Sequence, residues 1–189
     1  MSSEALTRIE PHASERADSL QYLTFLLGSD LFAVPIGTIR EVIEYHGLTR
    51  VPLSPPTVPG VLNLRGAVVP VVDLCVRFGR APTATGRRTC VVVVEMPGEE
   101  GMQLVGVLVD SVSEALEVEP DQLERRPSFG TGLRADFVGG MLKVDGRFMV
   151  VLDLARVLSM DELEQIVTSS HGTRERTEVG VSREAGPLP

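Results

Sequence analysis

The sequence is poor in the residues that most often carry chemistry. Its 189 residues include two cysteines, three histidines and one lysine, Lys143, and tryptophan is absent. A metal site needs several Cys or His side chains at short spacing, and a phosphate-binding loop of the G-x-x-x-x-G-K-[ST] type needs its lysine. Neither pattern occurs, nor does the G-x-S-x-G motif of hydrolases. We therefore expect no metal, no cofactor and no catalytic residue.

An excess of positive charge and long apolar runs are missing as well. The net charge is −8, which is the wrong sign for a protein that binds a nucleic acid backbone. The most apolar stretch, 67–76, contains Pro70 and Asp73 and is far shorter than the roughly 20 apolar residues of a membrane span. The N-terminus has no apolar signal core, so we expect Cys75 and Cys90 to be free thiols in a reducing cytoplasm. We expect no nucleic acid partner and no direct membrane insertion.

The residues that are abundant favour a mainly β fold. Aromatic residues make up only 4%, whereas Gly and Pro break a core rich in Val and Leu into short segments. The dipeptides Arg65-Gly66 and Asp145-Gly146 have the length of tight hairpin turns, and the second has the preferred composition. Four pairs of strands follow from this pattern: 20–27 with 31–35, 58–64 with 67–73, 90–96 with 103–110, and 138–144 with 147–153.

An internal repeat indicates two similar units. Segment 60–74 aligns with 140–154 at an offset of 80, with six identical positions that include both glycines of the hairpin. A weaker similarity aligns 32–41 with 105–114 at an offset of 73. Two copies of a unit of about 75 residues predict two β subdomains that stabilise each other by burying apolar faces. The unpatterned segments 1–18 and 168–189 are expected to be disordered tails on a domain at 19–167.

Two polar features within the repeat have alternative interpretations. Asp73 and Asp153 could form a catalytic carboxylate pair, but a fold repeats its helix caps whereas an active site rarely repeats, so we interpret both as N-caps. Arg65 could be an ordinary solvated turn residue. It could equally be a binding residue, since an arginine at a hairpin tip presents five fixed donors and its counterpart in the repeat, Asp145, is different.

Several motifs, in order and correctly spaced, resemble the CheW-like chemotaxis coupling proteins over about 20–158. The most specific of them are N-L-R-G at 63–66 and V-P-V-V-D-L at 69–74. Weaker matches are Y-L-T-F at 22–25, I-R-E-V at 39–42, R-V-P at 50–52, V-L-V-D at 107–110 and V-L-D-L at 151–154.

The resemblance implies two five-stranded SH3-like barrels packed on each other, with short helices and no catalysis. It also implies a scaffold that joins the cytoplasmic tip of a methyl-accepting chemoreceptor to the regulatory domain of the chemotaxis histidine kinase. Such a protein would be cytoplasmic, at the inner face of the membrane in receptor arrays.

The resemblance also implies functional residues. The receptor-binding positions of the family correspond to Ile39, Glu41, Arg65 and Cys90, and Cys90 departs from the β-branched residue usual there. Positions that shape the binding loop correspond to Gly60, Asn63 and Gly66, which turn geometry alone would equally explain. For the kinase, the resemblance indicates only a region, the exposed strands of the barrels.

Three other functions are compatible with parts of the sequence. A CheW-like adaptor of a paralogous pathway, which governs pilus motility, development or gene expression, would have the same physical features. A hydrolase on a small β-barrel would need convergent titratable residues. A fusion of adaptor and response regulator is disfavoured, because too few residues follow position 167 to form another domain.

Overall fold

The computed structural model describes residues 20–98, 101–124 and 133–159. Strands dominate this part of the chain, and its two α-helices, α1 (Leu74–Arg77) and α2 (Leu154–Val157), are single turns. Three 3-10 turns lie at Ile36–Thr38, Pro120–Gln122 and Ala135–Phe137. In chain order the strands are β1 (Leu20–Leu27), β2 (Asp30–Pro35), β3 (Ile39–Glu44), β4 (Gly60–Leu64), β5 (Ala67–Asp73), β6 (Cys90–Gly98), β7 (Gly101–Val109), β8 (Ser111–Val118), β9 (Leu123–Glu124), β10 (Val138–Val144) and β11 (Arg147–Leu152).

The strands form two sheets, which confirms the mainly β fold class. One sheet has the order β8-β1-β2-β11-β10-β9 and the other has the order β3-β6-β7-β5-β4. The first sheet has six strands rather than five because the two-residue β9 pairs with β10. The predicted tails at 1–18 and 168–189 lie outside the described residues.

All four predicted hairpins are present, with strand boundaries shifted by at most two residues. The first is β1–β2, and the other three are β4–β5, β6–β7 and β10–β11. Strands β3 and β8 and the two-residue β9 were not predicted. At β3 and β8 the chain passes from one sheet to the other within a few residues of a hairpin, and no turn dipeptide marks the crossing.

The two repeats do not form one sheet each, and this part of the sequence-based expectation is wrong. The first repeat contributes β1 and β2 to the six-stranded sheet and β3, β4 and β5 to the other. The second repeat contributes β6 and β7 to the five-stranded sheet and its remaining strands to the six-stranded one. Each barrel therefore combines a hairpin of one repeat with the later strands of the other.

The repeated hairpins nevertheless have the same pairing register. Leu62 pairs with Val69 in the first hairpin, and Leu142 pairs with Met149 in the second, as the offset of 80 requires. Each hairpin also makes a parallel contact with a hairpin of the other repeat, β5 with β7 and β11 with β2. The prediction that the two hairpins share one structure is confirmed.

Three apolar clusters hold the sheets together. One lies on the inner face of each barrel, built around Leu142 and Met149 in the six-stranded sheet and around Val93 and Leu108 in the five-stranded sheet. The third and largest contains residues of both sheets and of both helical turns. Four rings connect in sequence across it: Phe25, Phe32, Phe78 and Phe137. Because this cluster is shared between the barrels, separating them would expose it to water.

Asp73 and Asp153 are helix N-caps, as predicted. The Asp73 carboxylate accepts hydrogen bonds from the backbone N–H groups of Cys75 and Val76, and Asp153 accepts one from Arg156. A cap satisfies backbone donors that the first helical turn leaves without partners. The two carboxylates thus have a structural role that explains their repetition.

Candidate functional site

At the tip of the β4–β5 hairpin, Arg65 adopts a backbone conformation that is unfavourable for arginine. Arg65 has φ of 51° and Gly66 has φ of 92°, so the pair forms the two-residue turn with positive φ at both positions. The corresponding turn of β10–β11 has φ of 50° at Asp145 and 75° at Gly146. Asp and Asn tolerate the left-handed region better than a long side chain does. Backbone geometry alone would therefore not favour an arginine at position 65.

Asn63 fixes the shape of this turn. Its Oδ1 accepts a hydrogen bond of 2.8 Å from the backbone N–H of Gly66. In the second hairpin the corresponding residue is Lys143, which has no acceptor, and its Nζ lies 5.6 Å from the centre of the Phe148 ring. The two turns share a backbone conformation, but among the described residues only the first turn is held by a side-chain hydrogen bond.

Gly60 allows the loop after β3 to cross the start of β4. A Cβ at this position would lie 2.5 Å from the carbonyl oxygen of Thr49. Thr49 exchanges two backbone hydrogen bonds of 2.9 Å with Val61, which links the loop after β3 to β4 at the opposite edge of the sheet. Thr49 was not predictable as a contributor, because it acts through its backbone; in the sequence, only the glycine at position 60 indicates a close approach.

Arg65 and Glu41, which were predicted to bind the same partner, are in contact. The Nη2 atom of Arg65 lies 3.3 Å from Oε2 of Glu41, and the two side chains are 83% and 27% exposed. The turn thus reaches across to β3, at the other edge of the same sheet. An ion pair this exposed contributes little to stability, at most about 1 kcal/mol.

Ile39 lies two residues before Glu41 but faces the other side of the sheet. A bulge in β3 inserts Arg40, so Ile39 pairs with Val94 and Glu41 pairs with Val93. Residues paired across antiparallel strands point to the same face. Ile39 accordingly packs, half-buried, against the cluster between the sheets, while Glu41 points to the inner face of its own barrel.

Cys90, the first residue of β6, lies beside the end of β3 that is farther from Ile39. It pairs with Glu44, and its Sγ donates a hydrogen bond of 3.3 Å to the Arg88 carbonyl. Both cysteines are free thiols, as expected, and burial raises the pKa of the Cys75 thiol. The structure therefore brings Arg65, Asn63, Gly66 and Glu41 together at one barrel end, with Cys90 apart from them.

The surroundings of this barrel end suit binding better than catalysis. Within residues 20–98, 101–124 and 133–159, no three His, Cys, Asp or Glu side chains converge in a way that could hold a metal ion. In the same ranges no helix is long and apolar enough to cross a membrane. What the barrel end offers is a rigid turn that presents a guanidinium next to a carboxylate.

Comparison with known proteins gives the family. The family described as CheW-like domain matches residues 21–162. The chain belongs to this family. It is 30% identical over 153 residues to the chemotaxis protein CheW of Klebsiella aerogenes, which covers 80% of this chain and 90% of that protein.

Two further similarities bear on structure and function. The scaffolding protein CheW from Thermoanaerobacter tengcongensis matches with a TM-score of 0.67 and 28% identity, over 74% of this chain and 92% of that one. Protein PilI of Pseudomonas aeruginosa is 32% identical over 85 residues, or 45% of this chain and 48% of PilI. The CheW-like fold and the prediction of a non-enzymatic chemotaxis scaffold are confirmed by membership of the family and by the match to a scaffolding protein.

Proposed function

We propose that this chain is an adaptor that couples chemoreceptors to the chemotaxis histidine kinase. The observation that carries the proposal is the strained turn at Arg65, which presents a guanidinium beside Glu41 at one barrel end only. The shared core between the barrels supports it further, because a coupling protein must be stiff enough to transmit motion between two partners. The adaptor acts in the cytoplasm, at the inner face of the membrane in receptor arrays.

The receptor side of the proposal rests on Arg65, Glu41 and Ile39. Glu41 engages one terminal nitrogen of the guanidinium in the described structure. The remaining N–H groups can then bind a carboxylate of the receptor tip, for which the planar guanidinium is well suited. Ile39 supplies apolar contact from the opposite face of β3, where its side chain stays partly exposed, and Cys90 lies beside the far end of the same strand.

The loop-shaping residues contribute by pre-organisation. Asn63 and Gly66 hold the turn closed through their hydrogen bond, and Gly60 admits the loop that packs against β4. A turn that is already ordered loses little conformational entropy on binding, so more of the contact energy appears as affinity. The regulatory domain of the kinase would bind elsewhere, on exposed strands of the barrels.

A second candidate is an adaptor of a paralogous chemosensory pathway that governs pilus motility, development or gene expression. The match to PilI favours keeping it, although that match spans less than half of either chain. The physical demands on such an adaptor are the same. Affinity capture of receptors and kinases from the native cell by this chain, followed by their identification, separates the two candidates.

Truncating Arg65 tests the receptor contact. We expect Arg65→Ala to weaken binding of a soluble receptor fragment by about 2 kcal/mol, since a partly desolvated charged contact is lost. Binding to the isolated kinase regulatory domain should be unchanged, and the free energy of unfolding should change by no more than about 0.5 kcal/mol. Arg65→Lys should recover only part of the loss, because a point charge cannot form two parallel hydrogen bonds. Titration calorimetry and melting curves measure these quantities.

Asp145→Ala is the matched control, because Asp145 occupies the same turn position in the other barrel. Receptor affinity should survive this change. Equal affinity in Arg65→Ala and the unchanged chain would return Arg65 to the role of a solvated turn residue. A fall in melting temperature comparable to that of a core substitution would instead make Arg65 part of the fold.

A further inference from the structure

The two repeats hold each other through their strands. The first repeat comprises β1 to β5 with α1, and the second comprises β6 to β11 with α2. Between the repeats, β1 pairs with β8, β2 with β11, β3 with β6, and β5 with β7. All of these pairings could form equally well if the two repeats came from different copies of the chain.

One loop, 79–89, connects the repeats. Its first part is fastened to the first repeat, where the Thr83 N–H and hydroxyl donate to the Asp73 carboxylate at 2.9 and 2.8 Å. At its other end, the Thr89 carbonyl accepts from the Tyr45 N–H at 3.0 Å, which extends the pairing of β3 with β6. The middle of the loop, 84–88, is exposed, and its hydrogen bonds stay within 86–90.

From this topology we infer that the chain exchanges repeats between two copies. The first repeat of one copy then completes both barrels with the second repeat of its partner, and segment 84–88 acts as the hinge. The contacts on either side of the hinge are the same in the closed monomer and in the exchanged dimer, which makes exchange a route to dimers that costs little contact energy.

The hinge determines which form predominates. A short flexible connection gives the two repeats of one copy an effective concentration of about 1 mM for each other. Dilute protein therefore stays monomeric, and crowding many copies into a small volume favours exchange. An exchanged dimer carries two complete barrel ends with Arg65 and Glu41, so it would be a bivalent adaptor. The inference stands on the pairing of the repeats and does not require the proposed receptor contact.

Deletion of 84–88 tests the inference directly. Asp73 and Cys90 pair with β7 from opposite sides, which puts them about 10 Å apart, or two strand spacings. After the deletion, one peptide unit of about 3.8 Å has to join Thr83, which is bound to Asp73, to Thr89, which is bound to Tyr45, so we expect the closed monomer to be strained. We expect the shortened chain to have about twice the monomer mass of 20.4 kDa in light scattering. Replacement of 84–88 by ten Gly and Ser residues should keep the chain monomeric at the same concentration.

A cleavable hinge distinguishes exchange from an ordinary surface contact. A protease site inserted after Thr85 is placed in the full chain, which is refolded from denaturant at about 1 mM so that pairing between copies competes with closure. Cleavage of an exchanged dimer should halve its mass, because the hinges are its only connection, whereas an ordinary dimer would keep its mass.

Three results overturn the inference. They are a monomeric deletion variant with an unchanged melting curve, a cleaved dimer that keeps its mass, and the absence of dimer after refolding at about 1 mM. The last result decides the matter even where the shortened chain does not fold.

Discussion

The ends of the β4–β5 and β10–β11 hairpins share a backbone and differ in chemistry. Both turns have the same φ pattern and the same register, yet Arg65 stands opposite Glu41 in one barrel, while Asp145 and Glu114 occupy the corresponding positions in the other. Among the described residues, Asp145 and Glu114 make no ion pair. The two hairpins thus share their turn conformation and differ in their exposed side chains. We assign binding to the β4–β5 end, where Arg65 adopts the less favourable backbone conformation.

The helical turns that follow the hairpins differ in a second way. Asp73 is 3% exposed, and its carboxylate accepts from Thr83 as well as from the helix, whereas Asp153 is partly exposed and, among the described residues, its carboxylate accepts only from the N–H of Arg156. Asp73 is thus a buried anchor in one half of the molecule, whereas Asp153 is a surface cap in the other. Three pairs of matched substitutions test this difference between the two halves of the molecule.

The largest difference is expected between the two caps. Asp73→Ala removes the acceptor of four buried or partly buried donors, so we expect it to lower the free energy of unfolding by about 3 kcal/mol. Asp153→Ala loses a surface cap and should cost about 1 kcal/mol. Urea denaturation measures both, and equal losses would contradict the distinction between anchor and cap.

The second-largest difference is expected between Gly60 and Gly140, each near the start of its hairpin. A Cβ at Gly60 would meet the backbone oxygen of Thr49 at 2.5 Å, whereas at Gly140 the nearest atoms lie at 3.0 Å and include the flexible side chain of Leu123. We expect Gly60→Ala to cost about 2 kcal/mol through forced backbone displacement and Gly140→Ala to cost about half as much. Thermal melts compare them, and a larger loss at Gly140 would show that β9 is the tighter contact.

The smallest effect concerns the strained turn and has the opposite sign. Asn tolerates a positive φ better than Arg, so Arg65→Asn should raise the free energy of unfolding by about 0.5 to 1 kcal/mol. Asp145→Asn should leave stability unchanged, because Asp already suits that position. If Arg65→Asn lowers the melting temperature, the ion pair with Glu41 outweighs the strain.

The fold was predictable where it depends on residues that are close in sequence. Short segments rich in Val and Leu, separated by turn residues, located four hairpins, and Asp before Leu at 73–74 and 153–154 located both helical turns. The exchange of strands between repeats was not predictable from these signals. Similar repeats imply similar local structure, but pairing partners are chosen by tertiary contacts that no local pattern encodes.

The candidate site divides in the same way. The turn at Arg65 follows from residues 63–66 alone, including the bond of Asn63 to Gly66. The contact with Glu41 needs the barrel to bring β3 beside the turn, and the bulge that sends Ile39 to the other face has no distinct sequence signal. Cys90 was grouped with these residues by family position, and the strand separates it from them.

The interleaving of the repeats also governs how the protein is made. The Thr24 hydroxyl of β1 donates a hydrogen bond to the Glu114 carbonyl of β8, 90 residues later. The six-stranded sheet therefore lacks its edge strand β8 until the second repeat has been made. At a synthesis rate of 5 to 20 residues per second, the first repeat waits about 5 to 18 s with unpaired strands. Such distant pairings slow folding, because the entropy of closing a long loop is lost before the contacts form. We therefore expect this protein to be most exposed to aggregation while its nascent first repeat waits for the second.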